Sequence, residues 1–254
     1  MDFEIQKASF WKRASAFLLD MILTAILTVG LLAALSAVSG YDRKAQQLED
    51  KYDAYGAEYG VSLRISEAEF NAMSKEDQEK FNAAYEALTK DPETLELYRA
   101  TIKLSLFCLS LSIFIAVALL EFAVPLLLKE GRTLGKKVFG LCVVHTNCVR
   151  MEPGGMFIRS ILGKYTIEIM IPVLILILLY YNAIGLAGTA TLMVLLFAQI
   201  IMMVSTKNNQ VLHDLLASCA VADYQSQPIY ATLDELNQAK ARKAAERARL
   251  TPYD

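Results

Sequence analysis

Two blocks of this sequence are each 25 residues long and carry one charge: Ala14 to Val38, interrupted only by Asp20, and Leu104 to Leu128, interrupted only by Glu121. A soluble domain distributes its apolar residues along amphipathic stripes, whereas a run longer than the roughly 20 residues that cross a hydrocarbon core belongs in a bilayer. Tyr165 to Thr206 continues for 42 residues with Glu168 as its single charge. As one helix it would measure roughly 63 Å, about twice the core thickness, so it must fold back into two spans. The polar, flexible stretch YYNAIGLAG, Tyr180 to Gly188, is where that turn is expected. A composition of 55% hydrophobic and 20% charged residues in 254 suits this division. A cleaved leader is the competing reading of the first block, because small residues near Ser36 to Gly40 could suit a peptidase. Its aspartate, and an apolar run beyond the usual about 7 to 15 residues, argue for a retained span.

The expected fold is therefore an all-α membrane protein: four transmembrane helices with an extracytoplasmic helical insertion and a small cytoplasmic β-hairpin. Residues 1–40 hold the N-terminus and the first span, 41–103 the insertion, 104–128 the second span, 129–164 a basic cytoplasmic loop with the hairpin, 165–206 the third and fourth spans, and 207–254 a C-terminal segment with a basic tail. Orientation follows Lys and Arg near the span ends. Lys129 to Lys164 has seven of them against two acids, the segment after Thr206 has six, and the turn at Tyr180 to Gly188 has none. Both termini are thus expected in the cytoplasm, in a multi-pass protein of the cell membrane. The insertion would lie outside, with 14 acidic and nine basic residues.

Within the insertion, Ser66 with Glu69 and Ser74 with Asp77 have capping-box spacing, and Asp91-Pro92 has the pairing that starts a helix. Phe70, Phe81, Tyr85, Leu88 and Leu95 could form its apolar stripe. In the cytoplasmic loop, VFGLCVVHTNCVRM, Val138 to Met151, is rich in β-branched residues and too short to span, so a hairpin turning near Thr146-Asn147 is expected. The tail LNQAKARKAAERARL, Leu236 to Leu250, is helix-prone and basic, suited to solvent or to anionic lipid.

Three patterns could carry chemistry. Cys142, His145 and Cys148 have the spacing C-x-x-H-x-x-C, but on a strand His145 would point away from both cysteines, so no metal and no cofactor are expected. GRTLGKK, Gly131 to Lys137, has three residues between its glycines where a phosphate loop has about four, and Lys137 stands where that loop has Ser or Thr. Arg132, Lys136 and Lys137 are instead candidates for an anion or a lipid headgroup, or simply for charges that fix topology.

The intramembrane acids are the third pattern. A charge at the centre of a span costs roughly 2.5–3.5 kcal/mol on insertion scales, and such groups usually face a polar interior. Asp20, Glu121 and Glu168 would reach similar depths in the cytoplasmic half, with Arg13, Arg159, Lys164, Lys136 and Lys137 at the rim. They are candidates for transport or ion binding, or for a network that only fixes helix packing.

FWKRASAFLLD, GRTLGKKVFGLCVV and NNQVLHDLLASCAVAD together resemble segments of the RDD family of bacterial membrane proteins, named for one arginine and two aspartates. The resemblance assigns Arg13 and Asp20 to the first helix, aligns Thr133, Leu134, Gly135, Lys136, Gly140, Leu141 and Val143 with the family's loop, and makes Asp214 the second aspartate beside Gln210 and His213. Arg159 falls where the family tends to have another arginine. It covers the chain except for residues 41–103, longer here than the family pattern, and the tail after Asp223. What it implies is transport, with cation/proton antiport proposed for some members.

The functional expectation is a small transporter or cation/proton exchanger using intramembrane carboxylates. Asp20 would titrate, Glu121 and Glu168 would relay, and Arg13, Arg159, Asp214 and His213 would orient. A non-transporting membrane scaffold or accessory subunit is the alternative. The expected partners are the lipid bilayer, anionic headgroups, a monovalent cation and the proton, and a second copy of the chain or another membrane protein. Nucleic acid is not expected, and neither is an enzyme, because no nucleophile, base and orienting group cluster in the sequence.

Overall fold

The computed structural model describes residues 4–128 and 130–250, with the backbone alone at Leu250. Lys129, a cation used in the orientation argument, lies outside the described residues. In chain order the elements are α1 (Phe10–Ser39), α2 (Tyr41–Tyr59), α3 (Glu67–Ala72), α4 (Lys75–Lys90), α5 (Pro92–Leu127), α6 (Leu134–Val138), β1 (Leu141–His145), α7 (Pro153–Tyr180), α8 (Gly185–Ser205), α9 (Leu212–Leu216), β2 (Cys219–Asp223) and α10 (Leu233–Leu250). Four of these, α1, α5, α7 and α8, are long and apolar enough to cross a membrane. They leave side chains such as Phe17, Ile26, Val29, Leu196 and Val204 more than half exposed. Lipid is the surrounding that such a surface suits, and a helix satisfies its backbone groups there internally. The fold is the expected all-α, multi-pass membrane protein in contact with a bilayer.

The chain divides into two compact units. In the unit Thr28–Ser112, Gly40 at φ +78° lets the chain turn from α1 into α2. Ser66 and Glu69 form a reciprocal capping box at α3, and Ser74 accepts from the Asp77 N–H at α4. Asp91 starts α5 by accepting from the Glu93 N–H at 3.1 Å and the Thr94 hydroxyl at 2.7 Å. Leu63, Ala84 and Leu88 form the core with Tyr52, Tyr55, Tyr59, Val61 and Phe81 against them. Of the expected stripe, Leu88 is buried and Phe70 touches Phe81, whereas Tyr85 and Leu95 are exposed. The tyrosines of α2, which the stripe omitted, take their place in the packing.

The other unit, Met1–Leu27 with Ile113–Asp254, carries the small antiparallel sheet. Its strand β1 pairs with β2, from Leu141 opposite Asp223 to His145 opposite Cys219. The local turn near Thr146-Asn147 exists as a single bridge, Val144 to Arg150. A distant partner wins because β1 is buried on both faces. Leu141 and Val143 pack with Cys219 and Val221, while Cys142 and Val144 pack with Ala222 and Ile5. Alternation sends the two sets to opposite faces, and a short local hairpin could not cover both. Cys142 thus belongs to an apolar cluster, and the His145 ring lies 3.2 Å from the Ser218 carbonyl.

Candidate functional site

Asp20 is 5% exposed on α1 and is held by the N-terminal turn of α6 and its cap. Its Oδ2 accepts from the Thr133 hydroxyl at 2.5 Å, and its Oδ1 accepts from the Gly135 N–H at 2.7 Å. Lys136 Nζ stands 3.8 Å from Oδ2. Thr133 is also the N-cap of α6, its hydroxyl accepting from the Lys136 N–H. A Cβ on Gly135 would run into the Ala16 carbonyl and the Asp20 carboxylate. Glycine is therefore required for this helix start to reach α1, and the Thr-Leu-Gly-Lys sequence reads as a dock for the aspartate.

A second group surrounds Asp214, which is fully buried in α9. Arg159 Nε donates to Asp214 Oδ1 at 2.9 Å, and Arg13 Nη2 lies 3.7 Å from Oδ2. Arg13 Nη1 also donates to the Asn209 carbonyl at 2.5 Å. His213 Nδ1 lies 2.7 Å from Glu168 Oε2, and its Nε2 lies 3.1 Å from Arg159 Nη2 and 3.4 Å from Asp214 Oδ1. Glu168 Oε1 accepts from the His213 N–H and from Gln199 on α8. Gly163 permits the approach, since a Cβ there would sit 2.7 Å from His213 Cβ.

The third group joins α5 to α7. Glu121, 1% exposed, pairs through Oε1 with Lys164, and its backbone carbonyl accepts from the Ser160 hydroxyl at 2.6 Å. Its Oε2 is buried with no hydrogen-bond partner among the described residues. Lys136 lies near enough to feel the same carboxylate. Burial pushes this lysine down to about 8, partly offset by Glu121 and Asp20.

Both helices depart from α geometry where they carry these charges: Ala118–Ala123 holds Glu121, and Ile158–Met170 holds Arg159, Lys164 and Glu168, in π-helical turns. In an α-helix Arg159 and Lys164 would diverge by about 140°. Hydrogen bonding from i to i+5 brings residues five apart toward one face.

These groups border a partly open cavity of about 220 Å³. Arg13, Lys136, Arg159 and Lys164 line it, with the carboxylates Asp20 and Asp214 and the ring of His213. Glu121 and Glu168 are not among the lining side chains but pair with residues that are. The structure therefore gathers Asp20, Arg13, Arg159, Asp214, His213 and Lys136 at one place, with Glu121 and Glu168 just behind. Arg13 serves Asp214 rather than the Asp20 that shares its helix. Arg132 is occupied elsewhere, 2.7 Å from Glu130 and stacked 4.0 Å over Tyr224, and Lys137 is exposed outside the cavity. Sequence reasoning left Gln199 unassigned, although a lone amide in an apolar span was a usable signal. The roles of Thr133 and Gly135 had no local signal, because their partner lies on α1. Burial pushes the thiols of Cys142 and Cys219 up to about 12, which makes them packing groups and poor nucleophiles.

A family model described as RDD family matches residues 7–218. No curated protein and no solved structure matches the chain. The matched region includes every charged group of the cavity.

Proposed function

The chain belongs to the RDD family, and from that premise we propose that it is a small membrane transporter that exchanges a monovalent cation for protons at the charged cavity. The observation that carries this reading is the convergence of ionisable side chains from α1, α6, α7 and α9 on one partly open cavity, with Glu121 of α5 paired to its Lys164. Charges inside membrane helices are expensive, and a polar pathway is a common reason for them. Glu121 suits the titrating role best. Its Oε2 has no hydrogen-bond partner among the described residues, and its Oε1 is paired with Lys164. A proton or a small cation taken up on Glu121 would replace Lys164 as the counter-charge. Asp20 and Glu168 act as positioning groups, since both oxygens of each accept hydrogen bonds from the protein.

We place both termini on the cytoplasmic side of a bacterial cell membrane, on the strength of the basic segments 129–164 and 207–254, and the working unit as an oligomer, because four spans are few for a complete pathway. Flux in liposomes containing only the purified protein tests the function. Glu121→Gln is expected to abolish proton-coupled cation movement at normal abundance; wild-type flux in that variant, or none in the wild type, would overturn the reading. A scaffold or accessory role is favoured by a different observation: the unit Thr28–Ser112 has its own core and exposes Tyr85 and Tyr98. A fixed partner that copurifies in the absence of flux would support it.

A further inference from the structure

The cavity wall is layered by charge. Four cations line it against two carboxylates, and the acids that balance the cluster, Glu121 and Glu168, lie behind that wall. Asp20 is engaged through both oxygens by Thr133 and Gly135, and Asp214 through Oδ1 by Arg159, while its Oδ2 faces Arg13 Nη2 at 3.7 Å with no hydrogen bond among the described residues. The cations retain capacity. A lysine ammonium has three donors and a guanidinium five, yet among the described residues Lys136 Nζ makes one hydrogen bond, to the Thr133 hydroxyl at 3.2 Å, and the Arg13 side chain makes one, to Asn209. Lys136 is 8% exposed, and among the described residues its nearest ion-pair partner is Asp20 Oδ2 at 3.8 Å, beyond hydrogen-bonding distance.

The rest of the lining is apolar, including Phe10, Phe17 and Met203. Phe10 and Phe17 are half exposed on a helix long and apolar enough to cross a membrane. At about 220 Å³ the cavity is smaller than the roughly 300–1,000 Å³ of sites that enclose a whole small molecule. It suits a compact anionic head whose remainder stays outside.

We propose that this cavity binds the phosphate of a phosphate ester, carried by an anionic lipid or by a soluble molecule, with Arg13, Lys136 and Lys164 as its donors. Two lysines and an arginine supply the charge-assisted hydrogen bonds that a phosphate takes, and the aromatic rim accepts an acyl chain. Charge on Lys136 is needed, so binding weakens as pH rises past about 8. This site goes beyond the exchange reading, because it can be occupied whether or not the protein moves ions.

The test is calorimetric titration of the full chain in non-ionic detergent with dihexanoyl phosphatidic acid, dihexanoyl phosphatidylcholine and inorganic phosphate. Phosphatidic acid is expected to bind at least tenfold more tightly than phosphatidylcholine. Lys136→Gln should weaken it at least tenfold, Lys136→Arg should retain it, and Lys137→Gln, outside the cavity, should change it less than twofold. Inorganic phosphate binding as tightly as phosphatidic acid, with the same dependence on Lys136, would support the site and make the soluble ester its source. Phosphatidic acid binding no better than phosphatidylcholine, with inorganic phosphate also unbound, would overturn the proposal, as would equal losses from Lys136→Gln and Lys137→Gln. If the Lys136 variants fail to fold, the wild-type contrast between the probes decides alone.

Discussion

The unit Thr28–Ser112 and the cavity cluster use the same ion pairs to different ends. On α4, Lys80 meets Glu76 at 2.7 Å and Lys90 meets Glu86 at 2.5 Å, all four side chains well exposed. At the cavity, Arg159 meets Asp214 at 2.9 Å with side-chain exposures of 2% and 0%. The distances are alike, but water can replace either partner on α4, and at the cavity it cannot. An ion pair's length therefore says little about its weight. The α4 pairs keep a helix soluble, whereas the buried ones decide which segments of chain meet.

The sharpest way to break that comparison is Asp214→Asn, which leaves Arg159 and Arg13 without their counter-charge. Stability to denaturant in detergent should fall by about 3–5 kcal/mol; a value equal to wild type would mean that the cluster is as replaceable as the surface pairs. Asp20→Asn is expected to lose less, about 1–3 kcal/mol, because the amide keeps one acceptor but turns an N–H₂ toward a donor. Its signature is local: the Gly135 amide should exchange hydrogen faster, and an unchanged exchange rate would detach Asp20 from the loop.

A pH series sharpens the contrast at Lys136. Its folded value of about 8 lies below the ordinary 10.5, so between those values the unfolded chain binds more protons. Stability then rises with pH across that window and is flat below it. The difference in thermal midpoint between wild type and Lys136→Met should follow this course from pH 7 to 10.5; a pH-independent difference would mean that Lys136 is not buried as a charge. Smallest of all, Lys80→Gln should leave the thermal midpoint within measurement error, and a clear drop would give surface pairs a weight that their exposure denies them.

The cap of residues 41–103 was largely legible because its signals are local. Ser66, Ser74 and Asp91 cap helices within three residues of themselves. The tyrosines of α2 were not, since which face of a mostly polar helix packs depends on its neighbour. At the cavity the residue types were visible and the pairings were not. Arg13 and Asp20 share a stripe of α1 in the sequence, yet one closes on Asp214 and the other on Thr133 and Gly135. Lys136 and Lys137 are adjacent and chemically identical, and packing puts one in the cavity and the other in the open.

By itself the sequence determined that this is a four-span membrane protein, because the length and purity of an apolar run are sufficient to commit a helix to lipid, and it determined the family through three short segments that need no fold to be read. Tertiary structure alone decided the strand that pairs with β1, since a strand buried on both faces takes the partner that covers it. It decided the alignment of Arg159 with Lys164, which depends on π-helical turns that break the 3.6-residue period. It also decided which carboxylate oxygens, among them Glu121 Oε2 and Asp214 Oδ2, are buried without a hydrogen bond among the described residues, because that depends on where the cations of other elements come to rest, and burial makes each such placement expensive to change.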